Sequence, residues 1–193
     1  MVTKTALLLL DLQNEMVDPK GKIGGGGLAK VVHDRGVLAK AAKALEWARS
    51  NDHAIVHIRL GFRADYADCL SVAPRIAKLK ENGAAIVGTW GTEFPDVIAP
   101  LADELVVTKS CVNPFYNTGL LNWLFAHSIT HIVIGGVVTN LVVEATARAA
   151  DDAGLAITVL EDVCAAPNAE WHRFCVESIL PMFATVTTTD TLA

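Results

Sequence analysis

Asp11 follows the apolar run Thr5–Leu10, and Lys109 follows a second such run, Glu104–Thr108. Brought into one crevice, a carboxyl and an ammonium make a pair suited to general acid–base work. The ammonium holds the charge and orientation of the carboxyl while the carboxyl gives or takes a proton. A neighbouring cation lowers an aspartate pKa and burial raises it, so the resting form of Asp11 stays open at this level. Each residue alone reads as ordinary, since Asp after a strand often caps or turns and Lys is usually solvated. Their joint delivery to one place is what points to chemistry.

A third stretch, GGVVTNLVVEATARAA from Gly135 to Ala150, reads as a strand that turns into a helix. In α/β enzymes that corner often carries the nucleophile. Here it holds Thr139 and Asn140, then the aliphatic Leu141, Val142 and Val143. Four cysteines occur, at 69, 111, 164 and 175, with no CxxC pair. They read as buried free thiols rather than disulfides. Cys111 is two residues beyond Lys109 but on a different loop from the corner. None of the four is a convincing stand-in for a missing nucleophile, and Cys164, after a later apolar run, is the best placed of them.

The elements that must position these residues alternate along the chain. Strands are expected at Thr5–Leu10, Ala54–Ile58, Glu104–Thr108, His131–Gly135, Ala156–Leu160 and Ala184–Thr188. Helices are expected at Val37–Ser50, Asn117–His127, Thr139–Ala153 and Glu170–Leu180. The first should bury Leu38, Ala41, Ala42, Leu45 and Ala48, and the second Leu120, Leu121, Leu124 and Phe125. Apolar strands alternating with helices imply a parallel sheet covered on both faces. The expected fold is one domain over residues 1–193, a three-layer α/β/α sandwich with a six-stranded parallel sheet in Rossmann-like order 3-2-1-4-5-6. In such sheets ligands bind beyond the carboxyl ends of the strands, at the switch point. Asp11 and Lys109 are expected there on neighbouring strands if part of 60–103 supplies a further strand or the order varies, which puts the 104–108 strand in fourth place beside the first. Residues 60–103 are too long for a simple loop and should form an active-site wall or a subunit contact.

Composition excludes other classes. The chain has 193 residues, 52% of them hydrophobic and 19% charged, which suits one well-buried domain and not a disordered one. A net charge of -5 with no Lys/Arg-rich run argues against nucleic acid. The N-terminal apolar run is too short for a signal peptide or a membrane span, so no membrane partner and a cytoplasmic location are expected. The loop GKIGGGGLAK contains a GxGxxG window but does not join a strand directly to a helix, so it carries no dinucleotide site, and no cofactor is expected.

Several of these segments resemble the motifs of the isochorismatase-like hydrolases, also called the cysteine hydrolase superfamily. LLLLDLQNEMVDPKG is similar to the first motif, VVTKSCVNPFYNTGL to the second and GTWGTEFPDVIAPL to the segment before it. GGVVTNLVVEATARAADDAGLAITVLEDVCAA is similar to the third. Together they cover most of the chain from Asp11 to Ala166. The resemblance implies a small-molecule hydrolase, usually a homodimer or homotetramer. Asp11 would be its general acid/base and Lys109 the partner, with a cis peptide at Val137–Val138. Amidase members carry a nucleophilic Cys where this chain has Val142, which can form no thioester. Members that hydrolyse isochorismate also lack that Cys. In them the aspartate protonates a vinyl ether carbon and water adds to the resulting cation.

On this reading Gln13, Val138, Thr139 and Val142 join the substrate-binding residues. Asn113 falls where relatives often have Ser and could hydrogen-bond substrate. Trp90 and Phe115, with Tyr116, could form an aromatic wall. Arg59 and Arg63 could take a carboxylate, with Phe62 closing the pocket. Nicotinamidase-type relatives bind a metal through an Asp-x-His group and another His. The matching stretch RLGFRADYADCLS has no histidine, so no metal is expected. His53 and His57 lie four apart on a strand, and His172 reads as a surface residue.

Overall fold

The computed structural model describes residues 4–192, so residues 1–3 and 193 of the expected domain lie outside the described part. Six parallel strands form one sheet: β1 (Lys4–Leu10), β2 (Ala54–Leu60), β3 (Leu105–Lys109), β4 (Ile129–Gly136), β5 (Ala156–Leu160) and β6 (Thr185–Thr187). Their order is β3-β2-β1-β4-β5-β6, the 3-2-1-4-5-6 arrangement that the alternation implied. Ala6 to Leu10 are fully buried, as a strand covered on both faces must be.

Alternation along β1 divides two cores. Leu7 and Leu9 face a layer made by α1 (Asn14–Val17), α2 (Leu28–Asp34) and α3 (Val37–Ser50). Ala6, Leu8 and Leu10 face the opposite layer, where α5 (Leu120–Ala126) and α6 (Glu144–Asp152) pack. The C-terminal segment that begins with α7 (Ala169–Phe174) adds Cys175 and Leu180 to that layer. Helix α3 buries Ala41, Ala44, Leu45 and Ala48. In α5 the buried pair is Leu120 and Leu124, and Phe125 is 49% exposed rather than inward. One residue beyond Leu124 is a rotation of about 100°, which carries the ring off the sheet-facing side.

The long stretch between β2 and β3 has structure of its own. It contains α4 (Pro74–Glu81) and single 3-10 turns at Trp90–Thr92 and Asp96–Ile98. Phe62, Cys69, Ile76 and Ala85 give it a small separate core. Among the described residues no helix is long and apolar enough to cross a membrane.

Candidate active site

The sheet's switch point lies between β1 and β4, and both strands end there under tight constraint. Leu10 pairs with Gly136, and a Cβ on Gly136 would lie 2.0 Å from the Leu10 carbonyl oxygen. Only glycine allows that approach. The Leu10 carbonyl accepts the Val137 N–H at 3.0 Å. The next residue, Asp11, turns out of the sheet with φ 55, a left-handed conformation that Asp tolerates better than most residues. Its own N–H donates to the Ile58 carbonyl at 2.9 Å. The side chain is thereby held at the carboxyl end of the central strand, 3% exposed.

Lys109 comes from farther away than expected. Its strand is not the neighbour of β1 but the edge strand β3, with β2 between them. Two strand spacings amount to about 9.6 Å, a gap that the long aliphatic stem of a lysine covers. Lys109 pairs in register with Leu60, and its side chain crosses the end of β2. Its Nζ donates to Asp11 Oδ2 at 2.7 Å and to the Cys111 carbonyl at 3.0 Å. Asp11 Oδ1 is buried and has no hydrogen-bond partner. Burial raises the Asp11 pKa by more than the Lys109 ammonium lowers it, so the carboxyl keeps its proton to higher pH than an ordinary aspartate.

A cavity of about 530 Å³ opens over this pair. Val137, Val138, Leu141 and Val142 form one side, and Leu60 and Phe62 another. The Val137–Val138 peptide is cis, as the motif resemblance implied. After it, Thr139–Val143 forms a wide π-helical turn before α6. Val142 is 2% exposed, so its isopropyl group closes the cavity floor while packing in the core beneath. The outer wall comes from α4 and the loop around Lys22. The segment between β2 and β3 thus walls the cavity of its own chain.

Some residues singled out from sequence lie elsewhere. The Gln13 amide donates to the Leu60 and Gly91 carbonyls at 2.8 and 3.1 Å and accepts the Leu60 N–H at 2.6 Å. It fixes the end of β2 rather than facing the cavity. Trp90 is 44% exposed, away from the cavity, and its carbonyl accepts from Asn14. Asn113 Oδ1 accepts the Phe115 N–H at 2.9 Å, and Phe115 packs against the sheet core. Thr139 donates its N–H to the Ala165 carbonyl, and its hydroxyl pairs with His172 Nδ1 at 2.8 Å. His172 is therefore a buried residue that ties the third motif to α7, not a surface one. Arg59 is held by Thr108 and the Thr92 carbonyl, and Arg63 by Asp65. His57 is fully buried against Glu104 and Phe94 and is not among the residues that line the cavity. Among the described residues no three His, Cys, Asp or Glu side chains are grouped to hold a metal.

A family model for the isochorismatase domain matches residues 5–191. The chain belongs to the isochorismatase family. It is 32% identical to the isochorismatase family protein YecD of Escherichia coli O157:H7, over 94% of this chain and 90% of that one. It is 28% identical to the ureidoacrylate amidohydrolase RutB of Caulobacter segnis, over 96% of this chain and 82% of that one. Its structure is similar to that of N-carbamoylsarcosine amidase from Thermoplasma acidophilum, with a TM-score of 0.76 and 25% identity over 97% and 98% of the two chains.

Within this family site the cysteines rank differently than sequence position suggested. Cys164 is fully buried, donates to the Leu160 carbonyl at 3.2 Å, and is pushed up to about 12 by burial. It is not among the residues that line the cavity. Cys111 is the one whose residue lines the cavity with Asp11 and Lys109. Its Sγ donates to the Asn113 carbonyl at 3.2 Å, and burial raises its pKa despite the nearby ammonium.

Sequence reasoning missed Glu15, Lys22, Arg75 and Lys78. The last two lie three apart on α4, a spacing that puts them on one helix face and was visible in the sequence. Glu15 gave no such signal, because its partners come from residues 22 and 85.

Proposed function

We propose that the protein is a small-molecule hydrolase in which Asp11 is the proton donor and Lys109 its partner, with no covalent step on the third motif. The observation that carries this reading is the division of the Asp11 carboxyl. Oδ2 is held by the ammonium, while Oδ1 is buried without a hydrogen-bond partner in a residue that lines the cavity. A protonated carboxyl with a raised pKa can deliver its proton to a substrate atom in a site where water is scarce. For an enol ether the proton goes to carbon, water adds to the oxocarbenium ion, and the hemiketal breaks its C–O bond. The proton released by the water returns to Asp11. Val138 and Val142 shape the apolar floor on which the reacting group rests.

The test is turnover of a panel of enol ethers and linear amides by the parent protein and by Asp11→Asn. Loss of about 100-fold or more in rate is expected, the usual size of a general-acid contribution. Panel members that bind with no product, or an Asn variant with full activity, would overturn the reading.

A second reading, hydrolysis of an amide C–N bond, draws on the amidohydrolase and amidase names of the two relatives. With valine at position 142, it would rely on water activated by Asp11 or on the Cys111 thiol. Cys111→Ser separates these routes: amide turnover abolished by that change would require the thiol.

A further inference from the structure

Thr139 stands in the chain between the cavity residues Val138 and Leu141, yet it does not itself line the cavity. It is fully buried, and among the described residues its hydroxyl has one hydrogen-bond partner, His172 Nδ1 at 2.8 Å. The backbone around that hydroxyl is held as well. Thr139 N–H donates to the Ala165 carbonyl at 2.9 Å, and Cys175 Sγ, just after α7, donates to the Thr139 carbonyl at 3.7 Å. On the far side of the ring, His172 Nε2 faces Glu161 Oε2 at 3.6 Å, and Arg35 holds that same oxygen at 2.9 Å. Arg35 Nε also donates to the Cys164 carbonyl at 3.1 Å. Arg173 and Glu177 line the same recess as His172, Glu161 and Arg35, a space of about 410 Å³ behind the third motif.

The charges around the ring assign its proton. The Glu161 carboxylate favours an N–H at Nε2, which leaves Nδ1 to accept from the Thr139 hydroxyl. Burial and the Arg35 guanidinium hold His172 below the usual histidine range, against the pull of Glu161, so the ring is uncharged at neutral pH. A second proton would sit on Nδ1. Thr139 would then have to accept, and its own hydrogen would be left buried with no acceptor. We propose that neutral His172 is a positioning residue: through Thr139 it sets from behind where Val138 and Val142 stand in the cavity wall, and its protonation loosens that corner. This rests on the hydrolase reading only for its effect on rate. The placement of the wall can be read without turnover.

The experiment has two parts. In the first, the parent protein with isotope-labelled histidine and methyl-labelled valine is titrated by NMR from about pH 8 to about pH 5, the range in which histidine changes charge. At the upper end the His172 ring nitrogens should show the Nε2–H tautomer. The Val138 and Val142 methyl signals should move with the His172 midpoint, which should lie below 6.5. In His172→Asn an amide oxygen takes the place of Nδ1 and cannot titrate, so that movement should vanish. The second part is turnover of the enol ether and amide panel. His172→Phe and Thr139→Val each remove the hydrogen bond and should each lower kcat about 10-fold, the size of one lost hydrogen bond, with less change in KM. The double variant should be no slower than either single one, because both act through one contact. His172→Asn should recover most of the rate. Valine signals that stay still while His172 titrates would overturn the proposal, as would a ring that keeps one charge across the range. Full kcat in folded Thr139→Val, with turnover lost in Asp11→Asn, would sink it and leave the hydrolase reading standing. Valine signals that follow His172 in a protein that turns over no panel member would do the reverse.

Discussion

Glu15 Oε2 accepts the Ala85 N–H at 2.7 Å, and its other oxygen accepts the Lys22 N–H at 2.5 Å. One buried carboxylate thus fastens together the two loops that form the outer cavity wall. Glu15 sits four residues beyond Asp11, so the same turn that presents the proton donor also anchors the walls around it. Glu15→Gln keeps the size but turns an amide NH₂ toward one of the two N–H donors. A loss of about 1–3 kcal/mol in stability is expected, the effect of leaving a buried donor unpaired. Denaturant midpoints give that number. In steady-state kinetics the change should appear as a raised KM with a smaller effect on kcat, because the wall loosens while Asp11 and Lys109 stay paired.

The raised pKa of Asp11 has two consequences of definite sign. Chemistry that needs the protonated carboxyl is retained at low pH and lost as pH rises through the raised pKa. The kcat/KM profile should therefore carry an alkaline limb assigned to Asp11. Stability follows the same proton. The native state holds it at pH values where the unfolded chain, near 3.8, has released it. This group's contribution is complete below 3.8 and declines as pH rises through the native pKa. Stability measured against pH for the parent and Asp11→Asn should differ in slope over that window. Identical slopes would show that Asp11 titrates normally.

Much of this arrangement is legible in the sequence. All six strands and their order followed from apolar runs alternating with helical patterns, because the sheet buries both faces and leaves an unmistakable signal. Asp11 and Lys109 were legible as strand-end residues. The route between them was not: they were expected on adjacent strands, and a lysine stem that crosses β2 is a tertiary fact with no sequence period. Helix α4 escaped notice for a related reason. It buries only Ile76, so no apolar stripe marks it. Gln13, Asn113 and Thr139 look like substrate ligands in the sequence because they are polar and close to the motifs. In the fold each one satisfies backbone groups or another side chain that burial would otherwise leave unpaired.

The junction of β1 and β4 predicts a sharp contrast between two glycines. Gly136 has φ 151, and an added Cβ would meet the Leu10 carbonyl oxygen at 2.0 Å. Backbone cannot move aside as a flexible side chain can, so Gly136→Ala should cost about 3 kcal/mol or more through conformational strain and overpacking. It should also displace Asp11, the residue after Leu10, and reduce turnover beyond what stability explains. Gly26, where a Cβ would meet nothing within 4 Å, is the control. Gly26→Ala should lie within about 0.5 kcal/mol of the parent. Thermal melts of the two variants decide the point.

Val142→Cys tests whether the cavity floor faces the proton donor. Valine and cysteine are close in volume, so the core around position 142 should lose less than about 1.5 kcal/mol. The variant is best made with Cys111→Ser, which removes the other cavity-lining cysteine. Iodoacetamide followed by mass spectrometry should then show an adduct at position 142 in the folded protein. The Cys111→Ser protein alone should show none in the same time, because Cys164 is fully buried and its thiol is pushed up to about 12. A thiol at 142 that stays unlabelled until the protein unfolds would place that side chain in the core alone. The aliphatic floor beside Asp11 would then consist of Val138 and Leu141.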